Sequence, residues 1–197
     1  MSESRIQHAV HEAAGLSPSP WITRYATLVS SGARVLDLAC GHGRHARWFA
    51  ERGCRVLAVD RDAAALASLS DVPGVETVAL DLESGAWPLS GERFDAIIVT
   101  NYLHRPFFPY LLAALVDEGA LLYETFARGN DAYGRPSNPA FLLEPGELLR
   151  VVAGRLKVVA YQEGRIVVEG RDAVVQRIAA VGARRAWPAV LPSDLPG

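Results

Sequence analysis

Several features that would place this chain in a specialised class are scarce or absent. It has only two cysteines, Cys40 and Cys54, which is too few for a disulfide framework. No apolar run approaches the roughly 20 residues that a helix needs to cross a membrane. The first residues, MSESRIQHAVHEAAG, lack the basic start and apolar run of a signal peptide. These absences predict a cytoplasmic protein with no membrane partner.

An excess of charge of one sign is also missing. The 20 Lys and Arg residues are offset by 22 Asp and Glu residues, so the net charge is −2 and gives no reason to expect a nucleic-acid partner. Lys157 is the single lysine, which we attribute to genomic composition and not to function. The length suits one domain. We expect a monomer or homodimer.

Short apolar runs alternate with longer helical patterns after residue 32, and this alternation predicts a parallel sheet covered on both faces. The predicted strands are 33–39, 54–60, 75–81, 94–100 and 120–126, and the predicted helices are 19–25, 43–52, 62–70, 107–119 and 145–153. Three more strands, at 155–162, 165–170 and 173–181, have links too short for parallel crossovers and must pair antiparallel.

A glycine-containing loop follows the first predicted strand. Its pattern, G41-x-G43-x-x-A46, satisfies the dinucleotide-binding fingerprint. Gly41 and Gly43 permit a close approach between the backbone and a ligand. Since parallel sheets bind ligands at the carboxyl ends of their strands, the loop is expected to hold a nucleotide-like cofactor.

Three acids decide between the possible cofactors. Asp37, Asp60 and Asp81 stand near the ends of three successive predicted strands. A carboxylate beside the loop is unfavourable for a pyrophosphate but favourable for the cationic end of S-adenosylmethionine (SAM). The other two acids suit ribose hydroxyls and the adenine amine. The pattern therefore favours SAM, while an NAD(P)-dependent oxidoreductase still fits the glycines.

The same residues resemble a known family. D37-L-A-C-G-H-G43 resembles motif I of the class I SAM-dependent methyltransferases, D/E-x-G-x-G-x-G, with Ala39 in place of the first glycine. AVD60 and LDLE (80–83) resemble the acidic motifs after the second and third strands. GHGRHARWFAERG and FLLEPGELL are similar to the small tellurite-resistance (TehB-like) methyltransferases.

The resemblance implies a Rossmann-like α/β fold. Its mostly parallel seven-stranded sheet would carry helices on both faces and an antiparallel C-terminal strand. Residues 33–183 would form the SAM-binding domain, after an N-terminal segment (1–32) with a capping helix and before a Pro-rich tail (184–197). By the same resemblance, Asp60 binds the ribose hydroxyls and Asp81 the adenine amine. The full set of expected cofactor-binding residues is Asp37, Ala39, Gly41, His42, Gly43, Asp60, Arg61, Asp81, Leu82 and Asn101.

No metal site is expected, because His42 and His45 have no acidic or thiolate partner at ligand spacing. We expect His45 to be a surface or packing residue and Cys40 a small core residue.

The sequence is less specific about the residues that would bind the methyl acceptor. The fourth strand ends in TNYLHRP (100–106), next to the transferable methyl group in this fold, so Tyr102 and His104 are candidate catalytic residues. His104 could equally cap the helix at Pro106. The D/N-P-P-Y/F tetrad of amino-directed methyltransferases is absent. Candidate substrate residues are Trp21, Arg24, Tyr25, Tyr123, Arg128 and Tyr133.

Other interpretations of these substrate candidates stay open, since Trp21 and Tyr25 could pack in the core and the loop 127–140 could be a solvated surface. The resulting prediction is a methyltransferase acting on a small, soft or anionic molecule, such as a thiol, a chalcogen or a metalloid oxyanion. Alternatives are an oxidoreductase, a nucleic-acid-directed methyltransferase and a non-catalytic SAM-binding regulator.

Overall fold

The computed structural model describes residues 17–83, 85–168 and 170–192. Its strands are β1 (Arg34–Leu38), β2 (Arg55–Asp60), β3 (Val75–Ala79), β4 (Phe94–Thr100), β5 (Leu115–Phe126), β6 (Leu156–Val168) and β7 (Arg171–Gly182). Its α-helices are α1 (Pro20–Tyr25), α2 (Arg44–Ala50), α3 (Ala63–Ala67), α4 (Phe108–Ala114) and α5 (Glu147–Val152). Short 3-10 turns cover Ala26–Leu28, Arg105–Phe107, Asn130–Ala132 and Pro139–Phe141.

The strands form one seven-stranded sheet in the order β3-β2-β1-β4-β5-β7-β6. Strands β1 to β5 pair in parallel, whereas β7 runs antiparallel to both β5 and β6. The predicted fold class is therefore confirmed. The strand order reverses between β1 and β4, and a ligand crevice is expected outside the carboxyl ends of strands at such a point.

Apolar residues fill both faces of the sheet. Along β1, Val35 packs on the face covered by α1, α2 and α3, while Leu36 and Leu38 pack on the face covered by α4 and α5. Burial on both faces explains why the parallel strands read as continuous apolar runs without alternation. Within the described residues, no helix is long and apolar enough to span a membrane.

The predicted helix at 107–119 is wrong beyond Ala114. The chain becomes extended at Leu115, which pairs with Phe94, and β5 continues from there to Phe126. Pairing with β4 overrides the local helical pattern, as tertiary contacts commonly do in sheets. At Gly119, an added Cβ would lie 3.1 Å from the Asp95 carbonyl oxygen, so this glycine serves a close strand approach and not a helix end.

The strands predicted at 155–162 and 165–170 are one strand, β6. Pairing with β7 runs from Leu156 to Val168 and passes through Gly164 without a turn. The expected three-strand meander is thus a single long hairpin, because a continuous partner strand supplies hydrogen bonds where the local sequence indicated a break. The predicted capping helix at 19–25 is present as α1. Residues 1–16 and 193–197 of the predicted terminal segments lie outside the described residues.

Candidate functional site

The loop between β1 and α2 depends on glycine. Gly41 and Gly43 have φ values of 54° and 71°, in the left-handed region that only glycine adopts readily. Gly43 occupies the N-cap position of α2, and a Cβ there would collide with the Leu69 side chain. The loop can therefore turn tightly from strand to helix while its backbone stays open to a ligand.

Two other residues hold left-handed backbone conformations without being glycine. Ala39 follows β1 with φ 55°, and Asn101 follows β4 with φ 54°. Such conformations are strained and concentrate at functional sites. Both residues stand where the strand order reverses, so the strain marks the crevice that the topology predicts. The first glycine of the resembled motif falls at Ala39, and this φ value explains why glycine suits that position.

Two cavities meet at these strained residues. The first has a volume of about 240 Å³ and an acidic lining, and the second has a volume of about 320 Å³ and carries Arg44. Ala39 and Asn101 line both. The first cavity is also lined by Asp60, Arg61, Leu80, Asp81, Leu82, Glu83 and Tyr102, and the second by Cys40, Gly41, His42, Arg44 and Thr100.

The cavities bring together most of the cofactor residues expected from the sequence. Gly43 and Asp37 are the two that do not line them. Leu80, Glu83, Arg44 and Thr100 line them but were missed, and Cys40 was expected to be a core residue. The sequence could have indicated these residues, because they stand directly beside the residues of the predicted motifs.

The carboxylate of Asp60 is fixed by the surrounding backbone. Its Oδ2 accepts a hydrogen bond from the Gly41 N–H at 2.7 Å, and its Oδ1 accepts one from the Asp62 N–H at 2.9 Å. Asp62 in turn caps α3 by accepting from the N–H groups of Ala64 and Ala65. The glycine loop and the next helix therefore hold the Asp60 carboxylate against the first cavity. Asp81 is oriented by the Glu83 N–H, 3.0 Å from its Oδ1.

Asp37 lies beneath the loop and is only 1% exposed. Burial raises its pKa to about 7, although the Ala46 backbone N–H and the Arg44 charge act in the opposite direction. Its Oδ2 has no hydrogen-bond partner among the described residues. A buried acceptor without a partner is rare and has a specific cause, and a cationic ligand group near the loop would supply one.

The two candidate catalytic residues occupy different surroundings. Tyr102 lines the first cavity, and its hydroxyl is buried with no partner among the described residues. Burial, together with Glu83 and Asp81, raises the pKa of Tyr102 to about 12, so the phenol stays protonated at neutral pH. His104 lines neither cavity. Its ring packs edge-on against Phe107 at 4.5 Å, and it occupies an N-cap position without making a capping hydrogen bond.

The N-terminal helix is attached to the sheet through Ser19. The Ser19 N–H donates to His45 Nε2 at 3.0 Å, and the Ser19 hydroxyl donates to Glu124 Oε1 at 3.0 Å. His45 is 1% exposed, and burial lowers its pKa to about 3, so it is a neutral packing residue. Trp21 and Tyr25 are buried with their ring centroids 4.5 Å apart, as the core interpretation expects.

The other candidate substrate residues are dispersed. Tyr123 is buried on the opposite face of the sheet, and its hydroxyl donates to the Tyr102 carbonyl at 2.7 Å. Arg128 pairs with Glu144 at 2.6 Å, and Tyr133 is exposed near Arg165. Arg24 is exposed, with its guanidinium 5.9 Å from the Tyr25 ring centroid. None of these residues lines the two cavities.

The residues present fit SAM better than a dinucleotide. The first cavity offers the Asp60 and Asp81 carboxylates, which suit ribose hydroxyls and an adenine edge. The same carboxylates, together with Glu83, would repel a pyrophosphate. The second cavity places Arg44 where a ligand carboxylate would be stabilised, above the buried Asp37.

Comparisons with known proteins agree with this geometry. Residues 35–118 match a family model described as a methyltransferase domain. No curated protein matches the chain.

Among solved structures, TehB from Haemophilus influenzae is similar with a TM-score of 0.70 and 19% identity. The likeness covers 82% of this chain but 61% of that one, so this chain spans less than two thirds of TehB. A TehB-like SAM-dependent methyltransferase from Corynebacterium glutamicum ATCC 13032 is similar with a TM-score of 0.58 and 20% identity, over 91% of this chain and 96% of that one. A coclaurine N-methyltransferase bound to N-methylheliamine and SAH is similar with a TM-score of 0.61 and 13% identity, over 81% of this chain and 71% of that one. These likenesses show the fold.

Proposed function

We propose that this protein is a SAM-dependent methyltransferase that acts on a small molecule, and its match to a methyltransferase-domain family over residues 35–118 and its fold support this. The observation that carries the proposal is the pair of cavities that meet at Ala39 and Asn101. One suits an adenosine and the other a methionine group, so the transferable methyl group would lie where they join.

The chain would bind and orient SAM. SAM supplies a methyl group bonded to a sulfonium, and this sulfonium becomes a neutral thioether when the methyl group is transferred. Asp60 is positioned to accept hydrogen bonds from ribose hydroxyls, and Asp81 from the adenine amine. Arg44 would neutralise the carboxylate of the amino-acid end of SAM. Asp37, which has one unpartnered oxygen beneath the loop, favours the cationic groups at that end.

The acceptor that we propose is a soft or anionic small molecule, for example a thiol, a chalcogen or a metalloid oxyanion. Such nucleophiles react without a general base, so the chain needs to align acceptor and methyl group and to exclude water. This agrees with the surroundings of Tyr102, whose raised pKa keeps the phenol protonated and unable to accept a proton at neutral pH. It also agrees with those of His104, which lines neither cavity. A cytoplasmic location remains a prediction.

Two other activities fit less well. An oxidoreductase would bring a pyrophosphate toward the acidic first cavity. A nucleic-acid-directed methyltransferase would need a basic surface, whereas the chain has a net charge of −2.

Calorimetry with SAM, S-adenosylhomocysteine, NAD and NADP tests the cofactor. We expect binding of the two sulfur compounds alone. Asp60→Ala should weaken it by roughly 10-fold or more, the loss expected for a hydrogen-bonded charged group. Asp71→Ala, at an exposed acid outside both cavities, is the matched control and should bind normally. Binding of NAD in place of SAM would refute the proposal.

Release of S-adenosylhomocysteine tests the acceptor. The assay should contain SAM with 2-mercaptoethanol, selenite or tellurite, and in parallel an RNA and a DNA oligonucleotide. Turnover with a small molecule alone supports the proposal, while turnover with an oligonucleotide alone would replace it with the nucleic-acid alternative.

A further inference from the structure

A row of polar residues crosses the sheet beneath α1. Thr100, Glu124 and Arg177 are neighbours in register on β4, β5 and β7. Trp21 covers this row from α1, with the Arg177 guanidinium 5.5 Å from its ring centroid. We call these four residues the polar layer. Most of the sheet around it is apolar, so its polarity requires a reason.

Two N–H donors of the polar layer have no acceptor in the part of the chain that the structure describes. Trp21 Nε1 and Arg177 Nε are both buried and lack a hydrogen-bond partner among the described residues. Arg177 Nε lies 3.5 Å from Glu124 Oε2, which is an ion pair without hydrogen-bond geometry. More than nine in ten buried polar groups are paired in proteins, so two neighbouring unpaired donors indicate that something else accepts from them.

The charges of the polar layer are already balanced. Glu124 and Arg177 carry opposite charges, with side chains 12% and 13% exposed. A second anion there would be repelled by the Glu124 carboxylate in surroundings that screen charge weakly. The Ser19 hydroxyl donates a hydrogen bond to Glu124 Oε1. Glu124 Oε2 lies beside the unpaired Arg177 Nε–H and is available to accept a further hydrogen bond.

A hydroxyl group complements this arrangement. It has two lone pairs, which match the two N–H donors, and one O–H donor, which matches Glu124 Oε2. It is uncharged and so leaves the Glu124–Arg177 balance intact.

The polar layer adjoins the proposed methyl-transfer site. Thr100 lines the second cavity and is the register neighbour of Glu124. Adjacent strands lie about 4.8 Å apart, which is close to the span of a two-carbon chain. On this spacing, a molecule with its nucleophilic atom in the cavity would extend a hydroxyl two carbons away toward Glu124, the register neighbour of Thr100. Since Trp21 is 3% exposed, entry of the hydroxyl would require α1 to move away from the sheet.

We propose, on the basis of the proposed function, that the polar layer is the acceptor subsite and that it takes an uncharged soft nucleophile bearing a hydroxyl group, such as a hydroxyalkyl thiol. This narrows the soft or anionic acceptors of the proposed function to uncharged ones. The acceptor sulfur forms a bond to the methyl carbon while the bond from that carbon to the sulfonium breaks. The thiol proton is released to solvent.

Matched acceptors test the subsite. With saturating SAM, kcat/KM for 2-mercaptoethanol should exceed that for 1-propanethiol, its methyl-ended counterpart, and that for the anion mercaptoacetate by about 10-fold or more. Trp21→Phe removes the indole N–H and keeps an aromatic ring, so it should reduce the preference over 1-propanethiol to below about threefold. Trp187→Phe changes an exposed indole and should keep the full preference. Equal use of the three thiols, or a preference that survives in Trp21→Phe, overturns the subsite.

A binding readout separates failure of the subsite from failure of the proposed function. The indole N–H signal of Trp21 is identified in ¹H–¹⁵N spectra as the signal that is missing from the spectrum of Trp21→Phe. With S-adenosylhomocysteine present, 2-mercaptoethanol should shift this signal, and 1-propanethiol should not. A shift without turnover contradicts the thiol acceptor and supports the subsite. Turnover without a shift supports the methyltransferase and overturns the subsite.

Discussion

At the residue scale, the site is marked by side chains held in unfavourable conditions. Ala39 and Asn101 have strained backbones, and Asp37 is a carboxyl group without full hydrogen bonding. Protein interiors tolerate few such features, and their grouping around one crevice indicates that function retains them. Each can be removed by a single substitution with a measurable result.

Ala39→Gly should stabilise the protein. The left-handed conformation costs alanine about 1–2 kcal/mol, while glycine loses about 0.5–1 kcal/mol more backbone entropy on folding. We expect a gain of roughly 0.5–1 kcal/mol in the free energy of unfolding, measured by urea denaturation. Ala67→Gly, exposed at the last residue of α3, is the control and should lose stability, by less than the roughly 1 kcal/mol of a helix interior. Destabilisation of both variants would show that position 39 is not strained.

Asp37 should make stability fall as the pH rises. Its pKa is about 7 in the folded protein and about 3.9 in an unfolded chain. Between these values the folded state holds more protons, so the free energy of unfolding decreases with pH by at most about 1.4 kcal/mol per unit. Relative to wild type, Asp37→Asn should gain stability from pH 4 to 7 and stay level above 7. Urea unfolding across this range measures the difference, and parallel curves would contradict the assignment.

At the element scale, one arginine organises the chain that follows β4. The Arg105 guanidinium donates to both Glu147 carboxylate oxygens, at 2.8 and 2.9 Å, and to the carbonyls of Ala140 and Leu142. It therefore joins the turn beside the site to the start of α5. Lysine cannot reproduce this planar set of donors.

Arg105→Lys should lower the free energy of unfolding by about 1 kcal/mol, since it keeps the charge and loses the paired geometry. We expect the amide of Leu143, bonded to the Phe126 carbonyl, to exchange faster with deuterium. Arg93→Lys is the control, because its 3.8 Å contact with Asp117 is exposed and should contribute little. An equally small effect of both variants would show that Arg105 does not restrain the segment.

At the scale of the whole molecule, the β6–β7 hairpin completes the open sheet by pairing with β5, on which it packs tightly. A Cβ at Gly182 would collide with the backbone carbonyl of Asp117, which cannot rotate away as a side chain would. This contact lies at the amino-terminal end of β5, whereas the cavities lie at the carboxyl ends of the parallel strands. It therefore affects how the hairpin docks and not the site itself.

Gly182→Ala should lower the free energy of unfolding by about 2 kcal/mol or more through overpacking. The affinity of the folded protein for S-adenosylhomocysteine should be unchanged. Thermal unfolding and calorimetry on the same sample measure the two quantities. A normal melting temperature would show that β7 has room to shift, and lost affinity would show that hairpin docking shapes the cavities.

The sequence by itself determined the wound parallel core and the cofactor motifs. Asp37, Gly41 and Asp60 belong to short segments in which strand, turn and helix signals are local. The start of β5 at Leu115 and the continuity of β6 through Gly164 depend on partner strands distant in sequence. The polar layer is a tertiary feature as well: Trp21 and Arg177 meet only because β7 pairs with β5 and α1 packs over both. Local sequence patterns encode the helices, strands and turns. Burial and strand pairing decide which side chains lack hydrogen-bond partners, and these depend on contacts that exist only in the folded chain.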